Sequence, residues 1–515
     1  MPYTPGTVSV EEISTSAKAV VVSNAASVAA FIGSSDRGPT EVDSNNFVVG
    51  KPQLVTNMAD FKQYFSYGAS VTDADFWSNA TDLKYAVNSF FKNGGGQAYV
   101  IQDIVATDAT KAASTLRDRN ATITQGSVNW TFATATASSQ LTITSASGTP
   151  FINVAQGTLI DFAGITATGF TFLNTNDWIV KAATNTVLTL AYTGANVATA
   201  TQASGITVMG PMNSTTTALV VTAKSHGSWG NYMWLGIYPN KSDALKFDLV
   251  VYLSTSATAY TELNIESGVS KVVESWESVS MDPNNDYYFL KVINSKYIDV
   301  AAGNTTGSGR FRLPVFTGTW ASTAPAVNIS AAGSGDGYVV YNIGGFTKTA
   351  IKLGTAATAN ASSVTAGANG TQNTDINNKL ARLDSVDGPL VFNIPNVTSK
   401  TDVDKILAYA ANRKDAFAVI DCADDTVSNV LATVNTYSAT NAKYGAVYYP
   451  QVSVGDDKTK STNKTIPSGG AVLAAYVSTD TNRGVFKAPA GVKTVVTDAV
   501  SVRSISVSDY STLNR

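Results

Sequence analysis

Residues 390–450 read LVFNIPNVTSKTDVDKILAYAANRKDAFAVIDCADDTVSNVLATVNTYSATNAKYGAVYYP and carry the clearest folding pattern in the chain. Short apolar runs at 390–393, 417–420 and 445–449 alternate with segments in which apolar residues recur every three or four positions. The runs are typical of strands and the spacing is typical of helices that bury one face. This βαβαβ order predicts a parallel sheet with helices on its faces. The helical stripes are Val403, Ile406, Leu407, Ala410 and Ala411, with Thr401 and Asp404 as a capping box, and Val427, Val430, Leu431, Val434 and Tyr437.

A related pattern lies near the start of the chain. Val28–Ile32 is a short apolar strand, and Asn57 is placed to cap a helix that ends before Gly68. A second helix, over 83–91, is predicted to stop at Asn93–Gly96, because glycines commonly follow the last turn of a helix. A strand over 98–104 comes next. Strand, helix, helix and strand in this order predict a crossover unit that joins the parallel sheet.

The middle of the chain has a different composition. Residues 121–213 are rich in Thr, Ala, Ser and Asn, and alternating strands at 140–144, 177–181 and 186–192 predict an inserted all-β barrel or sandwich. The next predicted elements are strands at Tyr232–Tyr238 and Phe247–Leu253, a helix with its stripe over 269–279, a strand at Tyr287–Ile293, and loops over 300–374. The fold class expected is therefore mixed α+β and multidomain, with an α/β domain, a second α/β domain and the β-rich insert.

Composition excludes several kinds of function. Of 515 residues only 14% are charged, with 35 Lys and Arg against 38 Asp and Glu, and there is one His and one Cys. A paired-histidine zinc site and a disulfide framework are therefore impossible within the chain. A net charge of −3 gives no basic footprint for nucleic acid. No apolar run reaches the ~18 residues of a membrane span, and the first residues do not resemble a secretory signal, so we expect synthesis in the cytoplasm and no membrane insertion.

Residues 1–19 form a separate feature, with prolines and a glycine ahead of Val8, Val10 and Ile13. This pattern predicts an extended arm without a local partner, and such an arm usually pairs with another chain. Val8, Val10 and Ile13 are therefore the candidate interface residues.

A search for catalytic chemistry finds few candidates. The chain has neither a P-loop nor a G-x-S-x-G nucleophile elbow, and no cofactor is expected. His226 and Ser228 could pair, but a turn residue that bonds locally is the favoured interpretation. Asp282, Asn284 and Asp286 imitate the start of a calcium loop that lacks its glycine and closing glutamate. A glycosidase could use the carboxylates of Asp421, Asp424 and Asp425, but these residues fit helix capping better. Cys422 is expected to be a small core residue.

Several segments, in order along the chain, match the motifs of one family. The set resembles the contractile tail sheath proteins of long-tailed bacteriophages (myoviruses), and the large Thr/Asn-rich insert is similar to those of giant-phage sheaths of the phiKZ type. The matching segments are Pro5–Ile13, Ala30–Gly33, Arg37-Gly38-Pro39, Leu83–Gly95, Ala98–Val100, Trp229-Gly230-Asn231, Ala416–Asp421, Tyr448–Pro450, Ile466–Gly469, Asp480 and Arg483–Gly491.

The resemblance implies a structural protein of the virion, not an enzyme. Subunits of this family stack as helical rings around a tail tube and contract to drive the tube through the host envelope. The implied partners are other sheath subunits, the tail tube protein, and baseplate and neck proteins. Contraction from a metastable packing needs no nucleotide, which fits the missing P-loop.

The resemblance also implies a domain layout. It combines 20–97 with 376–515 as the sheath domain and 98–120 with 214–375 as a second domain, which carries the insert 121–213. The family continues past the step that Leu513-Asn514 resembles, so the expectation is a C-terminally truncated chain that is monomeric and does not contract.

Two alternatives stay open at this point. A surface or S-layer-like protein would share the β-rich, Cys-poor composition but would need a signal peptide. A carbohydrate-active enzyme would be built on Asp421, Asp424 and Asp425.

Overall fold

The computed structural model describes residues 27–66, 76–77, 80–117, 122–135, 140–151, 159–175, 178–209, 217–240, 246–254, 270–303, 313–320, 327–328, 340–341, 346–348, 350–354, 361–491 and 494–513. The predicted N-terminal arm, with Val8, Val10 and Ile13, lies outside these ranges.

The strands and helices alternate along the chain as follows. The strands are β1 (Val28–Gly33), β2 (Thr40–Val42), β3 (Val48–Gly50), β4 (Gln53–Val55), β5 (Ala98–Gln102), β6 (Val105–Thr107), β7 (Ala113–Arg117), β8 (Thr122–Thr124), β9 (Trp130–Ala135), β10 (Gln140–Ser145), β11 (Leu159–Ala163), β12 (Trp178–Ala183), β13 (Val187–Ala191), β14 (Ala200–Gln202), β15 (Thr207–Met209), β16 (Thr217–Ala223), β17 (Met233–Pro239), β18 (Lys246–Ser254), β19 (Ser270–Ser280), β20 (Ile298–Ala302), β21 (Gly318–Trp320), β22 (Val327–Asn328), β23 (Val340–Tyr341), β24 (Phe346–Lys348), β25 (Ile351–Lys352), β26 (Ala361–Thr365), β27 (Thr371–Gln372), β28 (Leu390–Asn393), β29 (Ala416–Asp421), β30 (Gly445–Tyr448), β31 (Val452–Gly455), β32 (Asn463–Ile466) and β33 (Ala499–Val502). The helices are α1 (Met58–Phe65), α2 (Asp82–Lys92), α3 (Phe289–Val292), α4 (Ile376–Leu380), α5 (Lys400–Arg413), α6 (Val427–Val434), α7 (Gly469–Arg483) and α8 (Val507–Leu513).

A six-stranded sheet in the order β30-β29-β28-β1-β5-β4 forms what we call the parallel body. All neighbouring strands pair in parallel except β4 with β5, so the predicted βαβαβ unit and the predicted crossover are confirmed. Alternate strand residues face opposite layers. Phe31 and Val391 pack with α1, α2 and α7, whereas Phe392 and Ile420 pack with α4 and α5. Burial on both faces explains why these strands read as unbroken apolar runs.

Two further sheets make up the antiparallel body, in the orders β20-β16-β7-β26 and β19-β18-β17-β25, around one apolar core. It is joined to the parallel body through the neck, a small sheet in the order β2-β3-β6-β27. The chain leaves the parallel body through β6 and returns through β27, and these two strands pair antiparallel.

The insert is an eight-stranded sheet in the order β14-β9-β10-β13-β12-β11-β15-β8. Every pairing in this sheet is antiparallel, and the segment is rich in strands, as the sequence predicts. Its core is formed by alternate strand residues such as Phe132, Leu141 and Leu190. The structure thus shows a mixed α/β, multidomain chain, while the domain boundaries given above stay predictions.

The helix predicted over 269–279 is wrong, because Ser270–Ser280 form strand β19. The pairing with β18 is irregular where Val251 and Tyr252 lie opposite Glu274 and Val272. It is irregular again where Leu249 and Phe247 lie opposite Trp276 and Val279, so β19 contains an extra residue there. Ser278, with φ of 59°, lies in this bulge. A bulge brings residues three apart onto one face of a strand, which imitates helical spacing in the sequence.

Two other local predictions need correction. The segment Tyr287–Ile293 is not a strand but leads into α3, because the side chains of Asp282 and Asn285 accept hydrogen bonds from backbone N–H groups two residues on and turn the chain. Helix α5 is capped by Ser399 rather than Thr401: Ser399 Oγ accepts from the Asp402 N–H. The spacing of the capping box is correct, but it lies two residues earlier.

Candidate assembly surface

Residues 484–513 carry an unusual number of exposed apolar side chains, and we call them the C-terminal band. Phe486 is 88% exposed and Val507 is 90% exposed, which is far above what an isolated folded subunit usually shows for such residues. A group of exposed apolar side chains close together in the sequence is a candidate site of interaction. The full set is Val485, Phe486, Val495, Val496, Val500, Val502, Val507 and Tyr510.

Strand β33 gives the band an open strand edge. It belongs to the small sheet β32-β31-β33, where it pairs with β31 at one end of the strand order. Within the described residues its other edge has no strand partner. Val500 and Val502 are 61% and 57% exposed. An edge strand with exposed valines is a ready template for another strand.

The end of helix α2 holds the band in place through Asn93. The Asn93 amide nitrogen donates to Asp498 Oδ1 (2.7 Å), and its Oδ1 accepts from the Thr497 N–H (2.6 Å). The Thr497 hydroxyl donates to the Lys92 carbonyl (3.1 Å). Asn93 is also the C-cap of α2, and Gly94 after it has φ of 86°, so the predicted helix stop is confirmed.

The polar face of α2 also fixes the turn between β31 and β32. The Tyr85 hydroxyl donates to Asp456 Oδ1 at 2.9 Å. Asn88 and Lys92 both donate to Asp457 Oδ2, at 2.6 and 2.8 Å. Helix α2 therefore supports the sheet that carries the open edge, as well as the band that follows it.

A buried polar group lies at the carboxyl ends of β28 and β29 in the parallel body. Asp421 is 1% exposed, and its carboxylate accepts from the Gly469 N–H (3.0 Å), the Asn396 N–H (2.9 Å) and the Asn393 amide (3.3 Å). Gly469 is the first residue of α7, so Asp421 acts at the positive end of that helix. Burial nevertheless raises the pKa of Asp421 to about 6, because desolvation outweighs these hydrogen bonds.

Two glycines allow α7 to approach this group and α2. A Cβ atom at Gly469 would lie 2.4 Å from Asp421 Oδ1, and one at Gly470 would lie 2.2 Å from the carbonyl oxygen of Ala86. Neither position has room for a side chain. The glycine that ends the Ile466–Gly469 motif is therefore required for close packing of the α7 backbone.

The three carboxylates considered as catalytic groups have separate partners. Asp421 is buried as described, whereas Asp424 is exposed and pairs with Arg503 at 2.9 Å. Asp425 Oδ1 accepts from the Thr426 N–H and from the Asn429 side chain, next to the start of α6. Cys422 is buried, as predicted, and burial raises the pKa of its thiol to about 11.

His226 is held in the neck and not beside a nucleophile. Its backbone N–H donates to Thr40 Oγ1, and its Nδ1 lies 3.0 Å from the same oxygen, so the Thr40 hydroxyl is placed to donate to Nδ1. Burial, together with the charge of Lys111, lowers the pKa of His226. The N–H of Ser228 donates to Asn369 Oδ1 instead. His226 therefore has a structural role, but the expectation of local hydrogen bonding is wrong, because its partner Thr40 lies 186 positions away in the sequence.

The calcium-like segment closes on itself, since Asp282 Oδ1 accepts from the Asn284 N–H at 2.8 Å. Across the described ranges, His, Cys, Asp and Glu nowhere cluster in a group of three or more that could hold a metal ion. In the same part of the chain no helix is both long enough and apolar enough to cross a membrane.

The sequence singles out Arg483–Gly491 as a motif but does not indicate that the C-terminal band is an exposed apolar surface. The apolar residues of the band follow no helical or strand period over most of its length. Asn93 was assigned only to the end of α2, because its contacts with Thr497 and Asp498 join residues some 400 positions apart.

No protein-family model matches the chain, and no curated protein matches it. Among solved structures it is similar to a sheath tail protein from Desulfitobacterium hafniense, with 10% identity over 88% of this chain and 59% of that one and a TM-score of 0.36. It is also similar to a sheath tail protein from Listeria innocua, with 10% identity over 88% of this chain and 56% of that one and a TM-score of 0.37. The chain thus spans less than two thirds of the length of either relative.

Proposed function

We propose that the chain is a structural subunit of a contractile bacteriophage tail sheath and has no enzymatic activity. The observation that carries the proposal is that separate sequence motifs contact one another in the parallel body and support the C-terminal band. The segment Leu83–Gly95 supports the band through Asn93, and Ile466–Gly469 packs on Asp421, the last residue of Ala416–Asp421. Motifs scattered over most of the chain thus serve one structural unit.

The exposed band is the surface we assign to contact between subunits. A helical coat uses heterologous contacts, in which one patch of each subunit meets a different patch of the next. Strand β33 offers an open edge, and the arm with Val8, Val10 and Ile13 is an apolar extended segment, with Val8 and Val10 two residues apart, that could pair with such an edge. In this proposal the arm of one subunit adds to the small sheet of another.

A contraction driven by stored packing energy needs no nucleotide, which fits a chain without a P-loop. In this scheme subunits assemble in an extended arrangement and relax into a second one, while strand pairing keeps them linked. The partners are other sheath subunits, the tail tube, and baseplate and neck proteins, and the assembled location is the phage tail.

The test is assembly of the purified full-length protein. We expect negative-stain images to show hollow tubes wide enough to enclose a tail tube. Val500→Lys and Val10→Lys are each expected to abolish the tubes without changing the melting temperature. Val42→Lys is the matched control, because Val42 is 53% exposed but lies in the neck.

A gene product that stays monomeric at high concentration would contradict the proposed function. Tubes that persist in Val500→Lys would contradict the role of the band while leaving the sheath function intact.

A further inference from the structure

Arg37 occupies an unusual place between the parallel body and the antiparallel body. It lies after β1, where the chain leaves the parallel sheet for the neck, and it is only 3% exposed. Fully buried arginines are rare unless their charge and all their N–H groups are matched. The surroundings of Arg37 therefore call for a physical explanation.

One side of the guanidinium is bound by the end of helix α1 in the parallel body. Nε donates to the Ser66 carbonyl at 2.5 Å, and one terminal nitrogen donates to the Gln63 carbonyl. The last carbonyls of a helix have no partner within the helix and carry its negative partial charge. Arg37 satisfies two of them.

The other side of the guanidinium is bound by the antiparallel body. The central carbon of the Arg37 guanidinium lies 4.4 Å from the ring centre of Tyr297 and 4.9 Å from that of Trp229, and both rings are buried. The remaining terminal nitrogen is 3.4 Å from the Lys296 carbonyl. A cation over two aromatic faces is stabilised more strongly when water is excluded, as it is here.

The shape of the contacts selects arginine over lysine. Three carbonyls and two rings are met by one flat, forked group, and an ammonium group cannot stack in this way or reach all three acceptors. Burial lowers the pKa of Arg37 to about 10, which still leaves the side chain charged at neutral pH.

We propose that Arg37 is a clasp that fixes the orientation of the parallel body relative to the antiparallel body. Without it the two bodies stay joined by the neck, in which β6 and β27 carry the chain across, but they lose this buried cation–π and hydrogen-bonding contact. The inference concerns the single chain and does not depend on the proposed function.

The experiment measures the distance between the bodies in the 515-residue chain. Spin labels are attached at Asn412→Cys, on the exposed side of α5, and at Val272→Cys, on β19. Cys422 is buried and stays unlabelled at neutral pH. We expect a narrow distance distribution in the parent chain and a broad one in Arg37→Lys, with a melting temperature lower by about 5 °C or more.

Arg413→Lys is the matched control, because Arg413 donates to the carbonyls of Leu383, Val386 and Gly388 within the parallel body alone. It is expected to lower the melting temperature while the distribution stays narrow. Tyr297→Leu removes one ring but keeps the hydrogen bonds of Arg37, and we expect intermediate broadening. An unchanged distribution in both Arg37→Lys and Tyr297→Leu would overturn the proposal.

Discussion

The parallel body and the insert differ in the kinds of side chain that they bury. The parallel body encloses charged and amide groups, including Lys84, Asn393 and Asp421, each held by specific partners. The insert has only three charged residues among the 93 of 121–213, namely Asp161, Asp177 and Lys181. Its sheet buries an apolar face and leaves threonines such as Thr144 on the other. Both regions bury an apolar core, but the parallel body also depends on the pairing of buried charged and amide groups.

The largest change in the free energy of unfolding is expected on substitution of Lys84. The Lys84 ammonium is 2.7 Å from Asp36, and both side chains are fully buried. Nζ also donates to the Phe76 carbonyl at 2.8 Å. Lys84→Met leaves the Asp36 charge buried without this partner, which costs about 3 to 5 kcal/mol. Chemical denaturation measures the free energy of unfolding.

Lys405→Met is the control for Lys84, because Lys405 makes an exposed pair with Asp375 at 2.9 Å. It is expected to cost less than about 1 kcal/mol. Equal effects of the two substitutions would mean that buried charge is not what distinguishes the parallel body.

In the insert, Leu141→Ala should cost about 3 kcal/mol through the cavity it leaves in the apolar core. We expect the loss of stability to be confined to the insert, because the insert has its own core. Hydrogen exchange should show faster exchange in β9, β10 and β13 and unchanged protection in β28 and β29. Loss of protection in both regions would show that they unfold together.

The pH dependence sharpens the comparison further. The pKa of Asp421 is about 6 in the folded chain, above its ordinary value, so the folded state binds more protons than the unfolded state between these two pKa values. The contribution of Asp421 to stability therefore rises as the pH falls. From pH 7 to pH 5 we expect a gain of roughly 1 kcal/mol relative to Asp421→Asn, measured by denaturation at each pH. Parallel pH profiles for the two proteins would contradict this assignment.

The smallest effect is expected on the outer face of the insert. Thr144 is exposed on β10, where it lies opposite Thr131 and Val187. Thr144→Val should change the free energy of unfolding by no more than about 0.5 kcal/mol. A cost comparable to that of Leu141→Ala would show that this face is also packed.

The elements that the sequence predicted well are those whose pattern is local. Strands β28, β29 and β30 were found because each is a short apolar run between helical stripes. Strand β19 was misread because a bulge at Ser278 gives its residues a helical spacing. The insert was recognised as all-β, but its strand order depends on pairings between distant strands such as β8 and β15.

The candidate surface and the clasp were harder to predict because they depend on contacts between distant residues. Arg37 belongs to a motif that the sequence displays, yet the rings of Trp229 and Tyr297 that enclose it lie about 190 and 260 positions away. The exposure of Phe486 depends on what the rest of the chain leaves uncovered. Neither property is encoded in a local period.

The pairing of β1 with both β5 and β28 has a consequence for biosynthesis. Strand β5 ends at Gln102 and β28 begins at Leu390, so the central strand of the sheet emerges from the ribosome long before one of its neighbours exists. At about 5 to 20 residues per second, synthesis of the intervening chain takes roughly 15 to 60 s. Throughout this interval one edge of β1 is unpaired in the nascent chain. The insert is complete well before that point, so we expect it to fold first. Strand β1 can complete its pairing only after β28 has been synthesised.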